Sequence, residues 1–196
     1  MSGCPVRCLF CATGKLKKCR NLTAQEIVDQ IQFVLDRNPD FNPLEADEFK
    51  INYTRMGEPF LNIKEVKKAI ELIDKQFPNA HHYISTIGIQ NSDFSWITNN
   101  ITLQLSLHSL NEDKRNWLIP FKRKMLIKDL GKIKTNSNLK TTLNMTLIDQ
   151  NDFCGQTLQD NFDPKSFFIK LSPVNTNEVS KDNGIEDGYI KSINLR

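Results

Sequence analysis

Phe49-Lys50-Ile51-Asn52-Tyr53-Thr54, then Arg55-Met56-Gly57-Glu58-Pro59, then Ile63, Val66, Ile70, Ile73 and Phe77 at helical spacing: this stretch decides the fold. The first six residues alternate and are rich in aromatic and β-branched types, as a half-buried strand requires. Gly57 and Pro59 end it. Residues 63–77 place their apolar positions on one face of a helix. His82-Tyr83-Ile84-Ser85-Thr86 reads as a second strand, closed by Gly88. Two strands joined through a helix run parallel.

The pattern continues in both directions. Upstream, Thr23 and Glu26 have the spacing of a capping box. Ile27, Ile31, Val34 and Leu35 then recur at helical spacing, predicting a helix over 24–37. Asn38, Pro39 and Pro43 mark a loop. Downstream, the sequence predicts a brief helix near 92–99, a strand over 101–108, helical segments at 111–118 and 124–134, strands at 139–148 and 167–173, and a short helix after them. Strands alternating with helices specify an α/β fold with a parallel sheet, open or closed into a barrel.

The chain has 196 residues, 39% hydrophobic and 25% charged, enough for one domain with a sizeable core. No apolar run approaches the ~18 residues that span a bilayer, and no signal-peptide pattern follows the start. These observations predict no membrane association and a cytoplasmic location. The net charge is +3, with basic residues grouped at Lys15, Lys17, Lys18 and Arg20 and again at Lys114, Arg115, Lys122, Arg123 and Lys124. Such groups suit either a solvated surface or a nucleic-acid contact.

Cysteine usage is more telling. There are 5 cysteines, and Cys4, Cys8, Cys11 and Cys19 crowd the start of the chain. An odd, clustered set points to a metal or a reactive thiol rather than a disulfide framework. Cys4-Pro-Val-Arg-Cys8-Leu-Phe-Cys11 can supply three thiolates to three irons of a cubane, leaving the fourth iron open to a small molecule. Zinc is the alternative, with Cys19 or a distant histidine as fourth ligand. Gly57 permits close approach of a ligand to the backbone, and Glu58 can accept hydrogen bonds from an ammonium group. Ser85 and Thr86, Ser106 and His108, and Asn144 place polar groups within or just after predicted strands. Singly each suits a satisfied core hydrogen bond; their recurrence strand after strand suggests a lined cavity.

Together these motifs resemble the radical S-adenosylmethionine (SAM) superfamily, and more closely its RlmN/Cfr family of RNA adenine methyltransferases. The stretches that carry the resemblance run in order: Gly3-Cys4 through Gly14-Lys15, Arg20 to Ile27, Met56 to Asn62, Ile84 to Gly88, Leu105 to Ser109, Asn111 to Arg115 with Ile119-Pro120, and Leu171 to Asn175. The resemblance implies a partial (β/α)6 radical SAM barrel over residues 1–176, followed by a loosely ordered tail, 177–196. Only Met1, Ser2 and Gly3 precede Cys4, so the first barrel strand is expected to be lacking. The family's N-terminal accessory domain is likewise expected to be lacking.

The resemblance further implies that Cys4, Cys8 and Cys11 ligate a 4Fe-4S cluster, whose open iron chelates SAM. Gly57 and Glu58 would contact the SAM amino group. Ser85, Ser106 and Asn175 would help hold SAM, with His108 beside them. A reductant such as flavodoxin or ferredoxin would supply the electron that splits SAM into methionine and a 5′-deoxyadenosyl radical. Structured RNA, ribosomal or transfer, would be the substrate. The family's methyl-carrying cysteine lies beyond the last strand, and no cysteine follows Asn175 here. Cys154, within Phe153-Cys154-Gly155-Gln156, is the remaining catalytic candidate, but it precedes the last strand and its likeness reads as chance. SAM cleavage is therefore better supported than methyl transfer. The alternatives are a radical SAM enzyme on a non-RNA substrate and a catalytically silent fragment.

Overall fold

The computed structural model describes residues 1–16, 19–54, 56–148 and 154–187. Lys17, Lys18, Arg55, residues 149–153 and residues 188–196 lie outside the described residues.

Five strands form one sheet: β1 (Phe49–Tyr53), β2 (Ala80–Thr86), β3 (Ile101–Ser106), β4 (Thr141–Thr146) and β5 (Phe167–Ser172). They lie in sequence order, and every neighbouring pair is parallel. A doubly wound sheet reverses its strand order; this one winds in a single direction, as a barrel does. The expected α/β fold is present, and the sheet is consistent with a partial radical SAM barrel.

The pleat separates two faces. Ile84, Leu103, Leu105, Leu143 and Met145 are all buried in the main core. The alternate positions Ser85, Gln104, Ser106 and Asn144 are polar and only partly buried. The sheet thus has one apolar face for helices and one polar face for a cavity.

Helix α1 (Ala24–Asp36) begins with the capping box expected from Thr23 and Glu26. The Glu26 backbone N–H donates to Thr23 Oγ1 at 3.2 Å, and Glu26 Oε2 accepts from the Thr23 N–H at 2.9 Å. Helix α2 (Ile63–Gln76) packs beside α1 over Ala24, Ala69, Ile73 and Phe77. Glu65 fixes their junction by accepting the free N–H of Ala24 at 2.7 Å. Later come α3 (Glu112–Leu118), the single turn α4 (Ile127–Leu130), α5 (Gly155–Asn161) and α6 (Glu178–Asp182). Among the described residues no helix is long and apolar enough to cross a membrane.

Four local expectations differ from the structure. Residues 92–99 form turns, because the Asp93 carboxylate binds the Ser95 N–H at 2.8 Å and the Ser95 hydroxyl at 2.6 Å, competing with helical bonds. The helix expected over 124–134 shrinks to α4, whose Ile127 N–H is capped by Glu112 at 2.8 Å. The strand expected over 101–108 stops at Ser106, and His108 turns left-handed at φ 60. Helix α5 was not expected: Leu158 is its one buried residue, so it shows little apolar periodicity. The short helix expected after the last strand is present as α6, within the stretch after 176 read from composition as loose; Ser180 is fully buried there and Ile185 4% exposed.

Candidate functional site

The three cysteines sit on a loop held from several sides. Val6, 2% exposed, anchors it in the core. Arg7 bends it through a left-handed conformation, φ 57. The Leu9 N–H donates to the Leu118 carbonyl of α3 at 2.9 Å. The two residues flanking α6 complete the grip: Asn177 Nδ2 donates to the Phe10 carbonyl at 2.9 Å, and Asn183 Nδ2 to the Leu9 carbonyl at 3.2 Å. The Gly14 backbone closes the loop, where a Cβ would stand 3.2 Å from Arg7 Cα.

The loop faces a cavity of about 500 Å³ at the carboxyl ends of the strands, where parallel α/β sheets place their ligands. Cys4, Cys8 and Cys11 form one side. Gly57 and Glu58 follow β1, Ser85 comes from β2, Ser106 and His108 from β3, and Asn175 from beyond β5. All nine residues singled out as cluster or SAM contacts thus share one cavity. Asn144 lines it too. The sequence reading did not single out Gln104, Thr146, Lys170 and Ser172, which also line it. The signal for them was present: each lies an even number of residues along its strand from a polar position facing the cavity, or at its end.

Thr86 faces the opposite way and is buried, its hydroxyl accepting the Gly88 N–H at 3.0 Å. Cys19 and Cys154 are exposed and lie outside this cavity. Hydrogen bonds from the Thr157 side chain and backbone lower the Cys154 thiol pKa.

Glu58 is only 3% exposed. One oxygen accepts the Phe60 N–H at 3.1 Å and the other the Ile87 N–H at 2.9 Å. Burial raises its pKa, against the opposing pull of the Thr86 hydroxyl and those two N–H groups. The carbonyl of the same Ile87 accepts from Arg115 Nη2 at 2.7 Å, while Nη1 reaches the Met125 carbonyl at 2.8 Å. Burial lowers Arg115 to about 10, so it remains charged at neutral pH. A carboxylate and a guanidinium therefore hold the two peptide groups on either side of the Ile87 Cα at the cavity edge.

Gly57 adopts φ +98, and a Cβ there would come within 2.6 Å of Met1 Cβ. Only glycine combines that conformation with that clearance. His108 accepts the Thr146 N–H at Nδ1, 3.2 Å, and lies edge-on to Phe10 with ring centroids 4.9 Å apart. Burial, then the Arg115 charge, lowers it to about 4. The imidazole is neutral at pH 7, and since Nδ1 accepts, its proton resides on Nε2.

The donor set fits an iron–sulfur group. All three thiols are free. Burial raises Cys8 and Cys4, and each feels the neighbouring thiolates as a further upward push. Thiols so placed ionise together only when a cation compensates them. Among the described residues no three His, Cys, Asp or Glu side chains converge closely enough for a single ion. Thiolates on separate irons of a cubane need no such convergence.

No protein-family model matches the chain. Among curated proteins it is 35% identical over 187 residues to the probable dual-specificity RNA methyltransferase RlmN of Pseudothermotoga lettingae, covering 89% of this chain and 53% of that protein. With the proteins of the same name from Chlorobium phaeobacteroides and Microcystis aeruginosa it shares 38% over 137 residues and 39% over 132 residues; each match covers 65% of this chain and 37% of the relative. At its widest matches the chain spans about half the length of these relatives, 52–53%.

Proposed function

We propose that this chain, a relative of the RlmN-type radical SAM proteins, binds SAM in the strand-end cavity and splits it reductively as part of an RNA-modifying, methyltransferase-like reaction. One observation carries the proposal: three thiols and six SAM-contact candidates, distant in sequence, line the same cavity.

Cys4, Cys8 and Cys11 would hold a 4Fe-4S cluster, which supplies the single electron that breaks the sulfonium bond. The remaining work falls to the chain. Glu58 accepts two backbone N–H groups and the Thr86 hydroxyl, which leaves one lone pair of its carboxylate for the SAM ammonium. The Gly57 backbone approaches the same group without a Cβ in the way. Ser85, Ser106 and Asn175 offer neutral hydrogen bonds, and His108 offers its Nε2 proton. Val6, Phe10 and Ile87 add apolar wall that excludes water from a reactive radical. RNA as substrate rests on the relatives' printed names, and an electron carrier such as flavodoxin or ferredoxin on the need for a reductant. Free thiols throughout suit a reducing compartment such as the cytoplasm. Methyl transfer is assigned to no residue, because Cys154 stands outside the cavity.

The test is anaerobic reconstitution with iron and sulfide, reduction in the presence of SAM, and assay for 5′-deoxyadenosine. The expected outcome is deoxyadenosine from the wild-type chain and none from Cys8→Ala. A folded chain that takes up a cluster yet leaves SAM intact overturns the proposal. Salt-sensitive binding to structured RNA tests the substrate class separately.

A further inference from the structure

Ser106, Asn144 and Lys170 stand side by side on β3, β4 and β5. Ser106 is the register partner of Asn144, and Asn144 of Lys170. All three line the cavity. Adjacent strands are ~4.8 Å apart, so side chains in one row on one face share the space above them. Asn144 is tied into the sheet's neutral polar face: its Nδ2 donates to Gln104 Oε1 at 3.4 Å, which also accepts from Ser85 at 2.8 Å. Among the described residues, no hydrogen bond or ion pair engages the Ser106 hydroxyl or the Lys170 ammonium. Lys170 is also the one cation among the described residues lining this cavity.

We propose that the Lys170 side of this row is an anion subsite in which the Lys170 ammonium binds anionic oxygens of a phosphate on the nucleotide substrate. The inference rests on the function proposed above and deepens it. The cavity is polarised: its carboxylate, Glu58, follows β1, and its ammonium is on β5. Those strands are separated by four inter-strand steps, each ~4.8 Å along the sheet. An amino acid carries its ammonium and carboxylate on one carbon, so a single such head group does not span that distance. If Glu58 holds the SAM ammonium, the SAM carboxylate stays on the β1 side. Lys170 is then left for an anion carried by the second substrate. A lysine ammonium, a compact charge with three donors, suits a phosphate approached from one side.

The experiment compares cluster-loaded wild type, Lys170→Met and Lys170→Arg. Binding of SAM and of an adenine-containing single-stranded oligoribonucleotide is measured at several salt concentrations. Lys170 is exposed, so Met is accommodated, and matching thermal unfolding confirms the fold. The expected result for Lys170→Met is a loss of about tenfold or more in oligonucleotide affinity, a salt slope smaller by ~0.7, unchanged SAM affinity, and recovery in Lys170→Arg. Loss confined to SAM overturns the proposal and assigns the Lys170 ammonium to the methionine carboxylate instead. Unchanged affinity for both ligands overturns the proposal. So does a wild-type chain that binds no oligonucleotide and whose SAM affinity ignores Lys170→Met; the deoxyadenosine assay then shows whether SAM cleavage stands without an RNA substrate.

Discussion

Glu58→Gln in the cluster-free chain isolates the structural duty of this carboxylate from any ligand contact. Both oxygens accept backbone N–H groups, Phe60 at 3.1 Å and Ile87 at 2.9 Å, in a site only 3% exposed. Gln has one acceptor oxygen, so its amide nitrogen must face the other N–H, donor against donor. A buried bond to a charged acceptor is worth ~1.5–3 kcal/mol, and an unsatisfied buried N–H costs ~1–3 kcal/mol. These overlap, and Gln regains part of the sum because burial disfavours the charged carboxylate. The net loss expected is about 2 kcal/mol, or roughly 4–8 °C in Tm for a chain of this size. Urea unfolding under anaerobic, reducing conditions, followed by circular dichroism, measures it, with an unchanged slope as the check on two-state behaviour. Arg115→Met should couple to it by ~0.5 kcal/mol or more in a double-mutant cycle, since the two side chains hold the adjacent peptide groups flanking Ile87. A Glu58→Gln loss below ~0.5 kcal/mol, the range of ordinary surface substitutions, would refute the reasoning.

Gly131→Ala drives a Cβ into the Asn161 backbone carbonyl, which cannot swing aside as a side-chain tip can; a loss of ~1–3 kcal/mol in urea unfolding is expected. Asn177→Ala removes the bond to the Phe10 carbonyl, so iron should pass faster from the reconstituted chain to a chelator while global stability falls by only ~1–2 kcal/mol. His108 has its pKa depressed from 6.5 to about 4. Below pH 6.5 the unfolded chain therefore binds a proton that the folded chain resists, and stability present above pH 6.5 is lost as pH falls toward 4. The loss reaches up to about 3 kcal/mol. Unfolding midpoints measured across that window should slope in the wild type and flatten in His108→Asn, a residue that tolerates the left-handed backbone.

What the sequence determined by itself was everything carried by local periodicity and by reactive residue types at short spacing. Ile63, Val66, Ile70 and Ile73 declare α2 because a helix must turn one stripe to the core, and Thr23 with Glu26 closes the capping box of α1 within four residues of chain. Cys4, Cys8 and Cys11 announce soft-metal chemistry because no common structural role needs three thiols so close together. Such signals survive without a fold because the interactions behind them are themselves local. The tertiary structure decided the rest. Asp93 bonds to Ser95 where a helix was expected, and α5 forms with a single buried leucine; weak local preference left both open. Asn177 and Asn183 reach back to the carbonyls of Phe10 and Leu9, more than 160 residues away in sequence, and bind the end of the chain to the cysteine loop near its start. The burial that lowers His108 and the row of Ser106, Asn144 and Lys170 exist only once the strands are in register. Register follows from the apolar face of the whole sheet being buried at once, which no single stretch of sequence specifies.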